Sequence, residues 1–335
     1  MHKVPWMALF FVLGLSLGAL AGINIGSKNK GGIDRLIRQN SSEYKFTNPI
    51  LDCDTGENLA REPFLEDFSV KSISNLARDM NIAEFSVYFR DLNNGPWLGI
   101  NEGVRFMPAS MFKVPLLMSY LKESELDASL LKKEIKITPE DVRTSLAENI
   151  TEAGGAQEGK TYSIEELLEN MILKSDNVST NALTRNSSVQ DVLDTLDKVG
   201  AYFERNGNNV TISVKNYAAL YRVLFNSSYL NRTTSESALK MLSETKFNDG
   251  LVSGVANPKI KVAHKFGERV DNSLTNPVQI HDCGIVYYPE NPYLLCVMTR
   301  GNDMTRQTRF ISETSRLAYR AMYKQFPLSI SITTP

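Results

Sequence analysis

Arg105-Phe-Met-Pro-Ala-Ser-Met-Phe-Lys113 decides how this chain is read. Pro108 closes a short extended piece, and an apolar helix is expected to open near Ser110. It continues as Lys113-Val-Pro-Leu-Leu-Met-Ser-Tyr-Leu-Lys122. Pro115 falls in the first two turns, where a helix tolerates proline best. Residues three apart share a helix face, so Lys113 lies beside the Ser110 hydroxyl. Serine is a poor nucleophile until a base takes its proton. Lysine serves only when its pKa falls well below about 10.4, through burial or a neighbouring positive charge. Phe106, Met107, Phe112 and Val114 supply apolar surroundings. A serine at a helix start also aims its own N–H and the helix dipole at a developing oxyanion. Ser-x-x-Lys alone decides little, since it starts at Ser27, Ser42, Ser110, Ser119, Ser129, Ser237 and Ser243. Ser110 stands apart because its helix is apolar and follows a pair of strands.

Those strands lie upstream. Phe85-Ser-Val-Tyr-Phe-Arg90 reads as a strand, Asn93-Asn94-Gly95 as a hairpin turn, and Trp97-Leu-Gly-Ile100 as the return. A helix over 63–80 precedes them. Downstream the chain turns helical. Ser163-Ile-Glu-Glu166 is a capping box for a helix to about 174. Further helices are expected over 188–199, 213–225 and 234–245, the last starting near Ser235 or Ser237. Strands return at 260–265, 280–288 and 293–299, and a final helix covers 308–324. The expected fold is α/β (α+β): an antiparallel five-stranded sheet flanked by N- and C-terminal helices, with an all-helical lobe. Residues 63–327 form that domain, with 63–107 and 250–327 in the sheet lobe and 108–249 in the helical lobe. A cleft between lobes is the natural place for a ligand.

Two more motifs carry chemistry. Ser175-Asp-Asn177 ends one helix and precedes another beginning Ser179-Thr-Asn-Ala-Leu183. Its residue types also suit a plain helix-end turn. Lys265-Phe-Gly267 follows on the strand 260–265. A strand lysine beside a serine nucleophile can hold a substrate carboxylate and depress the pKa of Lys113. Gly267 would let a substrate backbone lie close. Read singly, these are a strand-end lysine and a turn glycine.

Ser-x-x-Lys, Ser-Asp-Asn and Lys-x-Gly in this order resemble the penicillin-recognising serine enzymes, and most closely the class A β-lactamases. The likeness covers about 63–324 and includes Asp249-Gly-Leu-Val-Ser-Gly-Val255 and Val262-Ala-His-Lys-Phe-Gly267. It implies the β-lactamase/transpeptidase fold and an acyl-enzyme on Ser110, with Lys113 as general base. Ser175 would pass a proton to the leaving nitrogen, helped by Lys113 and Lys265. Asn177 would orient the substrate amide and Lys113. The N–H groups of Ser110 and Glu268 would form the oxyanion hole beside Phe266 and Gly267. No metal or organic cofactor is implied.

The chain departs from the family at two places. The family usually has Thr or Ser where Phe266 stands, and its hydroxyl helps hold the substrate carboxylate. The family also carries a deacylating Glu, followed by an Asn, on a long loop behind the second motif. Here the corresponding stretch, 200–212, is short. Glu204 is its one acid, read as a candidate base or a solvated turn residue. The leading expectation is hydrolysis of the β-lactam amide. D-alanyl-D-alanine carboxypeptidase or transpeptidase work on peptidoglycan stem peptides is the alternative, and a penicillin-binding sensor or inactive module the non-enzyme one.

The rest bounds the setting. The 335 residues carry net charge −1, with 42% hydrophobic and 22% charged content. No Lys/Arg run points to nucleic acid, and three His give no metal spacing. Between Lys3 and Lys28 there is no charge. Residues 1–27 therefore read as a transmembrane anchor, with a cleaved signal peptide as the rival, and 28–62 as a tether. Either places the body outside the cytoplasm of a bacterium, membrane-anchored or secreted. Asn177-Val-Ser179 is a glycosylation pattern that would block the cleft, which argues against a eukaryotic secretory route. Cys53 is expected to pair with Cys283 or Cys296, unless the strand cysteines are buried thiols.

Overall fold

The computed structural model describes residues 44–49, 68–93, 95–145, 154–206, 209–272 and 275–328. The anchor or signal segment 1–27 and Cys53 lie outside them. Among the described residues no helix is long and apolar enough to cross a membrane.

Helix α1 (Val70–Asp79) starts at a capping box in which the Ser69 hydroxyl accepts from the Ser72 N–H. Strands β1 (Glu84–Asp91) and β2 (Trp97–Ile100) then form the expected hairpin. At its turn Gly95 takes φ 87°, a left-handed value that suits glycine. Three long strands close the chain: β8 (Val262–Val270), β9 (Val278–Val286) and β10 (Tyr293–Gly301). The sheet runs β2-β1-β10-β9-β8 and is antiparallel throughout, so β8 is an edge.

Alternation builds two cores on the two faces of this sheet. Val87, Phe89, Leu295 and Val297 face one way, onto Ile73 of α1 and Phe310, Ile311 and Ala318 of the last helix, α10 (Met304–Gln325). Tyr88, Leu294, Cys296 and Met298 face the other way, into the helical lobe. Both faces are covered, so β10 is buried nearly end to end and shows no polar alternation in sequence.

The helical lobe comprises α2 (Lys113–Ser124), α3 (Pro139–Arg143), α4 (Ile164–Leu173), α5 (Asn177–Asn186), α6 (Val189–Lys198), α7 (Val214–Asn226) and α8 (Arg232–Leu242). The short α9 (Leu251–Gly254) leads back to the sheet. The five-stranded antiparallel sheet with flanking terminal helices and a helical lobe is the expected architecture.

Several local expectations are corrected. Helix α8 begins at Arg232, capped by Asn231 and not by Ser235 or Ser237, because the Asn231 side chain accepts from the Thr234 N–H. Strand β8 runs five residues beyond Lys265, so Lys265-Phe-Gly267 is mid-strand and not a strand-end turn. Two small sheets were not expected: β3 (Arg105–Phe106) with β7 (Asn209–Ser213) and β6 (Glu204–Asn206), and β4 (Glu134–Lys136) with β5 (Thr161–Ser163). Residues 46–48, read as tether, are docked on the domain. Glu236 accepts the N–H groups of Phe46 and Thr47 at 2.9 Å each, and Asn48 N–H donates to the Phe225 carbonyl at 2.8 Å. The cysteine expectation is also revised: Cys283 and Cys296 face each other in register across β9 and β10 and are disulfide-bonded.

Candidate active site

Ser110 sits in a 3-10 turn (Ala109–Phe112) that leads directly into α2. Ala109 takes φ 48°, an uncommon left-handed value for a residue with a Cβ. Ser175 does the same at φ 57°, between α4 and α5. Two residues in left-handed conformation therefore set the turns that carry the two serines.

The middle residue of Ser175-Asp-Asn177 explains how the second turn is fixed. Asp176 caps α5, accepting from Ser179 N–H at 2.9 Å, and also accepts from Ala156 N–H at 3.1 Å. Gly155 allows that approach, since a Cβ there would fall 2.3 Å from Asp176 Oδ1. Asp176 thus holds the turn while Ser175 and Asn177 project from it.

Lys113 is the hub. Its ammonium nitrogen is 2.7 Å from Ser110 Oγ, 3.0 Å from Ser175 Oγ, 2.6 Å from the Ser175 carbonyl and 2.8 Å from Asn177 Oδ1. Lys265 reaches the same Ser175 Oγ at 2.9 Å and its neighbour's carbonyl, Phe266 O, at 3.2 Å. Ser110, Lys113, Ser175 and Lys265 are all buried. Five residues from three distant stretches thus meet through one hydroxyl and one amine. In its neutral form Lys113 has one lone pair to accept from Ser110 Oγ–H and two hydrogens shared among the three remaining acceptors.

Gly267 follows Phe266 on β8. It packs the strand against the nucleophile's own turn. A Cβ there would fall 2.6 Å from the Pro108 carbonyl oxygen and 2.8 Å from Met111 Cγ. Glu268, next on β8, is buried. The Phe266 ring lies between Phe247, with centroids 4.2 Å apart, and the Lys265 ammonium, 4.1 Å from its centroid.

Behind the turn, His281 of β9 joins its Nε2 to the Met107 carbonyl at 3.0 Å, and its Nδ1 accepts from Thr299 N–H at 3.2 Å. One donor and one acceptor define a neutral imidazole. Burial pushes its pKa down to about 4. Tyr217 adds a hydrogen bond from its hydroxyl to the Met111 carbonyl at 2.9 Å. Sequence reading missed both supports; single buried polar residues in an apolar run carry no distinguishing signal.

Glu204 does not join the cluster. It stands on β6, largely exposed, with its carboxylate 2.9 Å from Arg105 Nε. This corrects the reading of it as a turn residue. Among the described residues no group of His, Cys, Asp and Glu could hold a metal ion.

The site thus consists of a serine and lysine on one turn, a second serine on the bend after α4 and a second lysine on an edge strand. The model of the β-lactamase enzyme family matches residues 69–322, and the chain belongs to that family. No curated protein matches the chain by sequence. Among solved structures, a β-lactamase from Sphaerobacter thermophilus superposes with TM-score 0.67 at 19% identity, covering 78% of this chain and 100% of that one. A class A β-lactamase from Mycobacterium abscessus gives TM-score 0.65 at 19% identity, covering 75% and 98%. PBP-A gives 0.62 at 23% identity, covering 75% and 97%. At these identities the likeness establishes a shared fold.

Proposed function

We propose that the chain is a serine hydrolase that opens the amide bond of β-lactams through an acyl-enzyme on Ser110. The observation that carries this is Lys113 Nζ placed 2.7 Å from Ser110 Oγ and 3.0 Å from Ser175 Oγ inside a buried cluster. Two buried ammonium groups that share a hydroxyl disfavour each other's charge, and burial disfavours both. Lys113 therefore reacts in its neutral form, with Lys265 as the charged neighbour. Lys113 takes the proton as Ser110 Oγ bonds to the amide carbon. The carbon–nitrogen bond then breaks, and the leaving nitrogen takes a proton through Ser175. Asn177 orients Lys113 and the substrate amide. The N–H groups of Ser110 and Glu268 stabilise the oxyanion, where losing one donor costs about 10²–10³ in rate. Water later frees Ser110; Glu204, engaged by Arg105, is assigned no part, so this step is slow.

The family and the fold of the neighbours support the reading. PBP-A is also known as an acyl-enzyme with penicillin G in a variant form. The uncharged run between Lys3 and Lys28 supports placing the enzyme outside the bacterial cytoplasm on a membrane anchor, which membrane fractionation tests. The reaction is tested with a chromogenic cephalosporin and intact mass, with Ser110→Ala as control. Multiple turnovers lost in the variant are expected. One stoichiometric adduct with no turnover overturns hydrolysis, and no adduct overturns the acyl-enzyme.

A further inference from the structure

We propose that Phe266 is a positioning residue: the face of its ring keeps the Lys265 ammonium charged and turned onto Ser175. This rests on the acyl-enzyme reading above and says what sustains the charged neighbour of Lys113.

Lys265 is fully buried, so its ammonium has lost the water that would hold its charge. Its Nζ and that of Lys113 lie 2.9 and 3.0 Å from the same Ser175 Oγ, and each charge opposes the other. Both effects favour a neutral Lys265. Lys113 would then lack the positive neighbour that makes it give up its own proton. The surroundings of Lys265 offset this. Its side chain doubles back, as an edge strand allows, and Nζ donates to the Phe266 carbonyl at 3.2 Å. The same Nζ lies over the Phe266 ring, 4.1 Å from its centroid. An aromatic face attracts a cation within about 6 Å of its centroid, and more strongly where water is excluded. The ring is itself fixed, buried against Phe247 at 4.2 Å between centroids and 30° between planes. Ammonium and two rings form one stack, so Phe266 cannot turn its edge to the cation without losing Phe247.

The other titratable groups near Lys265 come from four elements. Lys113 belongs to α2. Tyr221 of α7 lies beside the Lys265 backbone, and burial pushes its pKa well above the ordinary tyrosine value, so it is neutral. On β9, Asp282 faces Phe266 across the ladder, and its carboxylate is 2.8 Å from Leu251 N and from His264 Nδ1. On β8, His264 and Glu268 share the Phe266 face and are buried, and Arg269 pairs with Asp271 at 3.8 Å. Fluorine on the Phe266 ring leaves all of these in place and weakens only the ring's negative face.

The test uses the full chain in detergent, isotopically labelled at lysine Nζ, with Phe266 replaced by phenylalanine carrying one, two or three fluorines. The Lys265 Nζ resonance, assigned by its loss in Lys265→Arg, is followed against pH. Its titration midpoint should fall in step with the number of fluorines, by about one pH unit for three. The alkaline limb of Ser110 acylation by penicillin G, read by intact mass, should move down with it. A midpoint that does not move, or that drops as far for one fluorine as for three, overturns the proposal. So does a midpoint that falls while the acylation limb stays. If the fluorinated chains do not fold, Phe266→Leu should lower the midpoint by about one unit and Phe266→Tyr should keep it, and equal midpoints overturn the proposal. No adduct with penicillin G in any chain removes the acyl-enzyme reading, while the Nζ titration still decides what the ring does to Lys265.

Discussion

The corner around Ser110 and the hairpin β6–β7, which pairs with β3, handle polar groups in opposite ways. At the corner, two lysines, two serines and an asparagine share hydrogen bonds in a buried cluster. At the hairpin, Glu204 is largely exposed and rests on Arg105. A buried network amplifies each member's effect, because an orphaned partner cannot turn to water. An exposed pair is worth about 0–1 kcal/mol. The contrast is between a buried, shared network at the corner and an exposed brace at the hairpin.

The largest effects should therefore come from the corner. Ser110→Ala should abolish the covalent adduct with any β-lactam, as read by intact mass. Lys113→Ala should keep the nucleophile but slow acylation by about 10³, the usual worth of a positioned general base. Stopped-flow acylation checks this. A Lys113→Ala protein that acylates within about tenfold of wild type would remove Lys113 as the base.

Gly267→Ala tests packing at the same corner. The added methyl must displace the Pro108 carbonyl or Met111, and overpacking of this kind costs about 1–3 kcal/mol. Acylation should fall along with stability, since β8 and the Ser110 turn move apart together. A variant that unfolds like wild type, measured by urea denaturation, would show that the strand yields freely.

His281 tests the corner from behind, through pH. Its folded pKa of about 4 lies below the ordinary 6.5, because burial opposes the charge. The unfolded chain takes the proton first. The contribution to stability is complete above pH 6.5 and is lost as pH falls from 6.5 toward 4, by about 3 kcal/mol in all. His281→Gln should flatten the pH dependence in that window, as read by urea midpoints at pH 7.5, 6 and 4.5. An unchanged slope would show that other groups set it.

The two regions also differ in how well the sequence discloses them. Ser110, Lys113, Ser175, Asn177 and Lys265 are legible because chemistry needs those residue types, and their order along the chain repeats the family's. The sheet is legible because β1, β2 and β10 carry turn signals and apolar runs. What escaped was position in space. Left-handed Ala109 and Ser175 have no letter of their own, and Gly267 serves the Ser110 turn, which only the packing reveals. The hairpin is masked because likeness to the family makes 200–212 a loop, although Asn206-Gly207 is a hairpin signal. The cysteine pair is hidden from sequence because register, not spacing, brings Cys283 opposite Cys296.

The smallest expected effect belongs to the hairpin itself, and it sharpens the contrast most. Glu204→Gln keeps the shape and the hydrogen-bonding reach of the side chain but removes the charge that Arg105 meets. For an exposed pair the loss of stability should stay below about 1 kcal/mol. Turnover of a chromogenic cephalosporin should stay within about twofold of wild type, whereas a general base would cost 10²–10⁴. A fall of about a hundredfold in deacylation with acylation unchanged would make Glu204 the water's base. The Arg105 pair would then be a resting state that opens once the acyl-enzyme forms, and the hairpin would belong to the active site after all.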